Sequence, residues 1–415
     1  MKTVITWAEL STGERLKFLR GEVTQTELAE MTGLSIWTIR NIEQDRPGRS
    51  ATIATLMSLA RALGTDVAVL TGQRAPNTRE RVDDRRALSA IDDCLTSPDN
   101  FPDIPGFGQL LPSGEPPAVA DLRAKVVLAW TDYWDGNYTE LGAVLPALIA
   151  EAKIATNSYD GERQEQAFAV LTELYQIAAD AAVQLGSQRI AFAALNRAFP
   201  AAKLSGDTLL LSSLAGTLSW VYLRKGRVDT AEEVAQAAAE TIEPSFGRSK
   251  RPQLAVWGNL VISAAVAASR SGKAAKAETA REYLSMAHAA AHRIGQDTNF
   301  YQTTFGPTQT QIQAVGVAVA TRDIGRALEI AKRLELPASL PKAARARYLL
   351  DVAHAHLLAR QEKAATSTLV AIDSFAPDWM RHQSLAVHIV EDLYVRERRS
   401  STVRQLASKV GIQPQ

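Results

Sequence analysis

A short run near the N-terminus carries side chains that suit the reading of DNA. If this run is helical, successive side chains advance by about 100°, and Ile36, Trp37, Arg40, Asn41 and Gln44 share one arc. Guanidinium and amide groups hydrogen bond to base edges in the major groove, and apolar atoms contact thymine methyl groups there. The arc therefore predicts a DNA-reading face. The alternative is that the indole packs on a linker or on another subunit.

Two short helices are predicted to position this face. Thr24 and Glu27 have the spacing of a capping box that begins the first helix. Gly33 permits the left-handed turn that ends it, and Ser35 caps the second helix. Helices joined by so short a turn must cross steeply, which is helix-turn-helix geometry.

The same stretch resembles the XRE (phage repressor/Cro-like) family of regulators. The matching residues are Gln25, Leu28, Ala29, Gly33, Ser35, Ile39 and Glu43, followed by Leu56, Leu59, Leu63, Gly64 and Leu70. The resemblance implies a five-helix lambda-repressor-like domain over residues 1–72 and double-stranded operator DNA as partner. It also implies that Gln25 and Thr38 contact a phosphate or base. The family pairs Glu43 with a first-helix arginine; an ungapped alignment puts Phe18 there, and a shorter turn puts Arg20 there.

Charge constrains how this domain can bind. The chain has 46 basic and 45 acidic residues, and residues 1–72 have eight of each. Because neutralised phosphates supply much of DNA affinity, one neutral copy should bind weakly, which favours a homodimer. The arginine-rich stretch 79–86 either adds phosphate contacts or forms a solvated helix face. The predicted DNA-binding residues are Gln25, Ser35, Ile36, Trp37, Thr38, Arg40, Asn41, Gln44, Arg46 and Arg49.

The rest of the chain predicts further helices. Apolar residues recur at three- and four-residue steps, and strand patterns are nearly absent. Residues 73–118 are interpreted as a linker with a connecting helix at 78–95, because 97–118 is rich in Pro and Gly. Residues 119–411 are predicted to form a helical sensor and dimerisation domain. The predicted fold is therefore all-α, with an N-terminal helix-turn-helix domain and a C-terminal α-solenoid.

Spacing within the helical array suggests repeats. Residues 172–203, 212–245 and 346–377 place small residues where tetratricopeptide repeats pack their helices, although a generic α-solenoid fits nearly as well. Turns are predicted near Gly136, Gly186, Gly226, Gly272, Arg322 and Arg360. The domain order is similar to that of the RRNPP peptide-pheromone receptors, which implies quorum sensing through a bound effector.

A solenoid of this kind presents a concave face to an extended ligand. Its predicted effector-binding residues are Glu173, Gln176, Asp180, Trp220, Arg224, Asn259, Arg270, Tyr301 and Gln309. Amides there would grip a peptide backbone, and arginines a carboxylate, so the predicted effector is a peptide or small molecule. The polar and aromatic segment 298–309 forms either a pocket wall or an ordinary inter-repeat loop.

Other function classes lack support in the sequence. Cys94 is the only cysteine, which excludes an intramolecular disulfide and a Cys-based zinc site. His288 and His292 are four residues apart, but no third metal ligand is evident.

Nucleotide-binding and hydrolase motifs are absent from the sequence, so no enzyme and no cofactor is predicted. Residues 1–10 do not resemble a signal peptide, and the apolar stretch 254–268 falls short of a membrane span. A cytoplasmic protein with no membrane partner is expected.

The primary interpretation is an effector-responsive transcription regulator. The alternative is a protein-interaction scaffold or antitoxin-like partner binder. Co-purification of a stoichiometric protein would favour that alternative.

Overall fold

The described part of the chain is built almost wholly of α-helices. The structure is a computed structural model that describes residues 10–21, 23–44, 51–63, 67–72, 80–98, 114–245, 247–338, 340–397 and 399–412. Within these ranges there are 21 α-helices and no β-strand, only an isolated antiparallel bridge between Thr298 and Phe305. The predicted all-α class with an N-terminal helix-turn-helix domain is confirmed.

Five short helices form the N-terminal domain. They are α1 (Thr12–Arg20), α2 (Gln25–Thr32), α3 (Ile36–Glu43), α4 (Ile53–Ala62) and α5 (Val67–Leu70). The Thr24–Glu27 capping box forms in both directions at the start of α2, and Gly33 ends that helix at φ 69°. Ser35 then accepts a hydrogen bond from the backbone N–H of Thr38 at the start of α3. Because both caps are local, α2 and α3 begin where the sequence predicts.

The core of this domain is a set of apolar side chains drawn from all five helices. Leu16, Leu28, Ile39, Leu56 and Leu70 have no accessible surface. Leu19, Leu34 and Leu63 pack around them with partial exposure.

A sixth helix, α6 (Glu80–Thr96), lies in the segment predicted to connect the two parts of the chain. It packs against the helical array rather than extending freely: Ile91 and Leu95 are buried in the main core of that array. An ideal Cβ placed on Gly142 would lie 2.3 Å from Ala87 Cβ and 2.4 Å from its Cα. Only glycine therefore allows α6 to approach so closely.

The array, called the body below, begins after residue 118 and consists mainly of antiparallel helix pairs. The pairs are α7 (Val119–Asp135) with α8 (Tyr138–Ser158), α9 (Gly161–Gln184) with α10 (Gln188–Leu204), α11 (Thr208–Arg224) with α12 (Val228–Thr241), α13 (Arg251–Ser269) with α14 (Ala274–Ile294), α15 (Pro307–Ala320) with α16 (Ile324–Arg333), and α17 (Lys342–Leu358) with α18 (Glu362–Phe375). Three shorter helices follow: α19 (Pro377–Arg381), α20 (Ser384–Arg396) and α21 (Ser401–Lys409).

The turns inside the pairs are where the sequence places them. The backbone has positive φ at Gly136, Gly186, Gly226, Gly272, Arg322 and Arg360, one in each of the six pairs. Such a residue ends a helix and lets the chain reverse within a few residues. Glycine adopts this conformation without strain, and the two arginines adopt it at some cost.

The pairs form two layers, and the inner layer curls until its ends meet. The first helices of successive pairs contact one another in order from α7 to α17, and α17 also contacts α7. Lys342 Nζ lies 3.2 Å from Asp135 Oδ2 across this junction. Fully buried alanines, including four on α13, allow the close approach that the curvature needs. The predicted concave face is therefore the inside of a nearly closed ring.

A loop fills part of the ring's interior. Asn259 Nδ2 on α13 donates to the Thr303 carbonyl at 2.7 Å, and Trp134 Nε1 on α7 donates to Gln302 Oε1 at 3.3 Å. Phe305 is fully buried, and a Cβ on Gly258 would lie 2.1 Å from its ring. The segment predicted as either pocket wall or loop is thus a plug that spans the ring from α13 to α7.

The N-terminal domain docks on the body through polar contacts at two places. Thr12 Oγ1 donates to Glu391 Oε2 at 2.9 Å, and Arg15 Nη1 lies 3.4 Å from Glu391 Oε1 on α20. On the other side, Arg61 Nη1 donates to the Gly226 carbonyl at 3.5 Å.

Apolar packing joins the two parts as well. Leu223, Ala231 and Ala267 of the body belong to the same buried cluster as the core of the N-terminal domain. The domain therefore bridges α11–α13 and α20, and it covers one end of the ring.

The helix Arg251–Ser269 is long and apolar enough, by length and composition alone, to cross a membrane. The apolar stretch 254–268 considered in the sequence lies inside this longer helix. In the structure, however, 72% of its most apolar 18-residue window is buried inside the protein. Such burial is typical of a core helix in a helical array.

The Gly142–Ala87 contact predicts that Gly142→Ala destabilises the fold. The new methyl group would meet the backbone of α6, so the helices must separate, and we expect a loss of about 1–3 kcal/mol in the free energy of unfolding. Gly325→Ala on α16 is the matched control, because no described atom lies within 4 Å of a Cβ there. The control should gain about 0.5–1 kcal/mol from helix propensity. Urea unfolding measures both, and equal effects would contradict the close packing of α6.

Candidate nucleic-acid interface and central cavity

The second helix of the helix-turn-helix, α3, presents an exposed face with mixed chemistry. Trp37 exposes 56% of its surface, and Arg40 and Gln44 are also exposed. A solvent-exposed tryptophan loses the stabilisation that burial of its large apolar surface would give. The structure thus brings three of the predicted DNA-contacting side chains to one open face.

Two members of the predicted arc are less open to solvent. Asn41 is buried, with 4% of its surface accessible, whereas Ile36 is partly exposed and packs partly against the domain core. The expectation that Asn41 lies on the exposed face was therefore wrong, and the role of Ile36 stays a prediction. An arc of five side chains on an eight-residue helix is wider than its open side, because core and neighbouring helices cover the rest. Arg46 and Arg49 lie outside the described residues.

A network of hydrogen bonds links α1, α2 and α3 behind this face. Arg20 Nε lies 2.5 Å from Glu43 Oε1, so the arginine predicted by a shorter first turn is the one that pairs, while Phe18 is 69% exposed. Gln25 Nε2 donates to Glu43 Oε2 at 2.6 Å, and Arg40 Nε donates to Gln25 Oε1 at 3.1 Å. The buried carboxylate thereby orients Gln25, which in turn orients the exposed Arg40 side chain.

The cap of α3 also holds polar groups near the same face. Ser35 Oγ and Thr38 Oγ1 are 2.8 Å apart, and Ser35 is exposed. Hydroxyl groups and free backbone N–H groups at a helix start bind phosphate oxygens well. Ser35 and Thr38 therefore complete a surface that is suited to a DNA backbone.

A second feature is a cavity of about 800 Å³ between the N-terminal domain and the ring. Its walls include Ile53, Met57 and Val67 from α4 and α5, and Leu88 and Ser89 from α6. The remaining walls come from further residues of the N-terminal domain and α6, and from the body. The body contributes the C-terminal ends of α9, α11, α13 and α15, the turn between α9 and α10, residues of α17, and residues 381–385 and 409–411. The cavity is in the size range of small-molecule sites in proteins.

Arginines from three inner helices line this cavity. Arg224 is the last residue of α11, Arg270 follows the end of α13, and Arg347 is on α17. Asp351 lies beside them and is paired with Arg347, with Nη2 3.2 Å from Oδ1. Burial lowers the pKa of Arg270 to about 9, and repulsion by Arg347 and Arg224 acts in the same direction, against the attraction of Asp351.

The predicted effector-binding residues divide into two groups. Arg224 and Arg270 line the cavity. The others are partly or wholly buried in internal contacts around the plug and the inner helices. These are Glu173, Gln176, Asp180, Trp220, Asn259, Tyr301 and Gln309.

Hydrogen bonds within the protein explain why most residues of this second group are not available to a ligand. Trp130 Nε1 donates to Glu173 at 3.1 Å, Tyr301 Oη donates to Asp207 at 3.0 Å, and Gln309 Nε2 donates to Thr304 Oγ1 at 3.0 Å. The expectation of an open groove along all these residues was wrong, because the ring closes and the plug fills its middle.

The contribution of α17 to the cavity was not predicted from the sequence. Arg347, Asp351 and His354 all line the cavity, although they lie far along the chain from Arg224. Burial lowers the pKa of His354 to about 3, so it is neutral at physiological pH. A signal was present: these residues recur at three- and four-residue steps on the first helix of the third proposed repeat.

Metal binding finds no support in the described residues, where no group of three His, Cys, Asp or Glu side chains is arranged to hold an ion. His288 Nδ1 is 2.8 Å from the Leu284 carbonyl, a bond within its own helix.

Comparisons with known proteins identify the N-terminal domain only. A family model described as helix-turn-helix matches residues 16–70. This match supports a DNA-binding transcription regulator of the XRE type. No curated protein and no solved structure matches the chain.

The ring interior predicts a pH-dependent effect of Asp180→Asn. Burial raises the pKa of Asp180 from 3.8 to about 7, against a hydrogen bond from Thr217. The neutral carboxyl therefore stabilises the fold fully below about pH 4, and this contribution is lost as pH rises through 7. The amide stays neutral, so the variant's stability relative to the parent should increase by about 2–3 kcal/mol between pH 5 and pH 8.

Chemical denaturation at several pH values measures this difference, and Asp93→Asn on the exposed side of α6 is the matched control. A difference that stays constant with pH would show that Asp180 is already ionised in the fold.

Proposed function

We propose that this protein is an effector-responsive transcription regulator that binds operator DNA as a homodimer. The observation that carries the proposal is the placement of the cavity. Its walls come both from the DNA-binding domain and from the body. A ligand at that position touches α4 and α5 directly, so its binding is coupled to how the DNA-binding domain sits on the body.

DNA recognition is assigned to the exposed face of α3. Trp37 and Arg40 supply apolar and guanidinium contacts for the major groove, and Gln25, Ser35 and Thr38 lie at the starts of α2 and α3 for the phosphate backbone. Gln44 extends the base-reading face by another turn. Asn41 has no part in this face unless it moves on binding.

The docking contacts suit a domain that must shift. The polar contacts include the bonds from Thr12 and Arg15 to Glu391, one long bond from Arg61, and a hydrogen bond between His388 and the Ala51 backbone. Contacts of this kind are worth on the order of 1 kcal/mol each. An effector that favours one arrangement by about 1–3 kcal/mol would change operator affinity several-fold to a hundredfold.

The cavity favours a small molecule over an extended peptide. A volume of about 800 Å³ holds a drug-sized ligand, and the plug occupies the path along which a peptide would lie. The body thus keeps the predicted sensor role, while its site lies at the junction instead of along the groove. A DNA-binding role supports the proposal of a cytoplasmic or nucleoid protein.

Replacement of Arg40 tests the DNA-reading face. With the operator identified by selection from genomic fragments, Arg40→Ala and Trp37→Ala should each weaken operator binding by about 1–3 kcal/mol and relax base preference. Arg163→Ala on α9 removes the same charge from an exposed position in the body and should leave binding unchanged. Electrophoretic mobility shift assays measure all three, and equal losses on random DNA would contradict base reading.

The mass of the protein–DNA complex tests whether the protein binds its operator as a dimer. The described N-terminal domain carries no large excess of positive charge, so one copy gains little from phosphate neutralisation. We expect a two-fold symmetric footprint, and light scattering should give the mass of two chains per operator. A single chain, both free and on a complete operator, would contradict the dimer.

A further inference from the structure

One side of α20 faces the DNA-binding domain. Ser384, His388 and Glu391 are spaced by four and three residues, which places them on the same side of the helix. Ser384 lines the cavity, and Glu391 binds the first residues of α1. The other side of α20, with Ile389 and Leu393, belongs to the core of the body. His388 therefore lies at the contact between the two parts of the chain.

His388 connects this side of α20 to the start of α4. Its ring hydrogen bonds to the backbone of Ala51, the residue before the N-cap Thr52. The bond favours the protonated ring, so the ring N–H is the donor and the Ala51 carbonyl is the acceptor. Only 5% of the His388 surface is accessible. Because Ala51 belongs to the DNA-binding domain, undocking of the domain would break this bond and open the ring to water.

The body gives a proton on His388 little support. Asp392, one turn further along α20, attracts the proton. This carboxylate is itself ion-paired with Arg396, with Nη2 2.7 Å from Oδ2. A second nitrogen of Arg396 lies 3.1 Å from Glu362 Oε1 on α18. Both acidic groups on this side are therefore engaged with a guanidinium.

A second imidazole packs on the first. His354 of α17 is also 5% accessible, and it meets His388 edge to face with the ring centroids 6.5 Å apart. Burial lowers the pKa of His354 to about 3, and His388, Arg322 and Arg347 lower it further by repulsion. His354 therefore stays neutral and offers no negative charge to a protonated neighbour.

Burial determines the protonation state of His388. Desolvation lowers its pKa, against the attraction of Asp392 and of the Ala51 carbonyl. The DNA-binding domain brings Arg15 to the same side of α20, a positive charge that Glu391 balances. His388 is thus neutral at pH 7 while the domain is docked, and an imidazolium there would be a buried cation, which is costly.

We propose that His388 makes docking of the DNA-binding domain sensitive to acid. The domain stays on the body while the ring is neutral, and protonation of the ring releases it. The hydrogen bond to Ala51 is compatible with a proton, because an imidazolium also donates. The cost is the charge buried beneath the domain, and undocking returns that charge to water. The consequence for operator binding rests on the proposed function, whereas the acid-sensitive docking does not.

Docking and protonation of His388 oppose each other. A histidine ring in water has a pKa of about 6.5, and burial in the docked form lowers it. The docked form therefore binds fewer protons than the undocked form. Docking is at full strength above about pH 6.5 and weakens as pH falls below that value. Between pH 7.5 and pH 5.5, one such ring weakens docking by up to about tenfold.

Hydrogen–deuterium exchange of the full chain tests this switch. Mass spectrometry follows the exchange at pH 7.5 and pH 5.5, with correction for the intrinsic exchange rate at each pH. The protection of α4 should fall by up to about tenfold at the lower pH, because undocking uncovers it. Protection of α2 reports on folding of the DNA-binding domain, and protection of α9 reports on folding of the body. Both should persist at pH 5.5.

Replacement of His388 identifies the titrating group. His388→Gln cannot gain a proton, while its amide can still donate to the Ala51 carbonyl, so α4 should be equally protected at both pH values. His292→Gln, which removes an exposed imidazole from α14, is the matched control and should lose α4 protection like the parent. If His388→Gln does not fold, His388→Asn decides on the same criteria.

Three results would overturn the proposal. The first is equal protection of α4 in the parent at both pH values. The second is loss of protection in α2 together with α4, which would indicate unfolding of the domain. The third is an acid response of His388→Gln equal to that of the parent.

Operator binding at the two pH values tests the regulatory consequence separately. The operator affinity of the parent, relative to that of His388→Gln, should change between pH 7.5 and pH 5.5. An unchanged ratio, with the acid response of α4 intact, would uphold the switch and contradict its role in regulation. Absence of sequence-specific DNA binding by both proteins would contradict the proposed function alone.

Discussion

The architecture depends on a ring of inner helices that must close around a space it cannot fill with its own side chains. Alanine-rich stripes bring successive helices close enough to curl, and α17 returns to contact α7. An inner layer this tight leaves backbone and polar groups facing a common centre, where each needs a partner. The plug meets that need in the middle, through Asn259, Trp134 and the buried Phe305. At one end of the ring, the DNA-binding domain and the body together line the cavity.

The contact between the DNA-binding domain and the body has two chemically different sides. On the α11–α13 side the contact is apolar, and the cores of domain and body merge around Leu223, Ala231 and Ala267. On the α20 side the contact is polar: Glu391 accepts a hydrogen bond from Thr12 and forms an ion pair with Arg15. Apolar burial is non-directional and tolerates small rotations, whereas an ion pair requires one geometry. The polar side of the contact therefore fixes the orientation of the domain more strictly than the apolar side does.

The features that could be predicted from the sequence have local causes, whereas those that could not depend on how the whole ring closes. Thr24, Glu27 and Gly33 shape the backbone within a few residues, so the helix-turn-helix could be predicted, and the same holds for the six positive-φ turns. The amides of Asn259 and Gln309 were predicted to face a ligand, but they donate hydrogen bonds to the plug. They do so because the ring of inner helices closes, and no local sequence pattern indicates that closure. Arg347 joins Arg224 and Arg270 only through that curvature. Likewise, helical periodicity placed Asn41 on the predicted DNA-reading arc of α3. Its burial depends on how the neighbouring elements cover that helix, which periodicity does not indicate.

The position of the arginine cluster bears on how a signal would travel. A ligand shifts an equilibrium only by the difference in its affinity for two states. A ligand deep in the groove would have to act on the DNA-binding domain through many packed side chains, and such long-range coupling is spread over many residues. In the proposed regulator, a ligand at the junction would contact Ile53 and Met57 of α4 only while the DNA-binding domain is docked on the body. Such a ligand would bind the docked form more tightly than the undocked form. In the proposed dimer it would favour one spacing of the two α3 helices, which is the quantity that an operator with two half-sites selects.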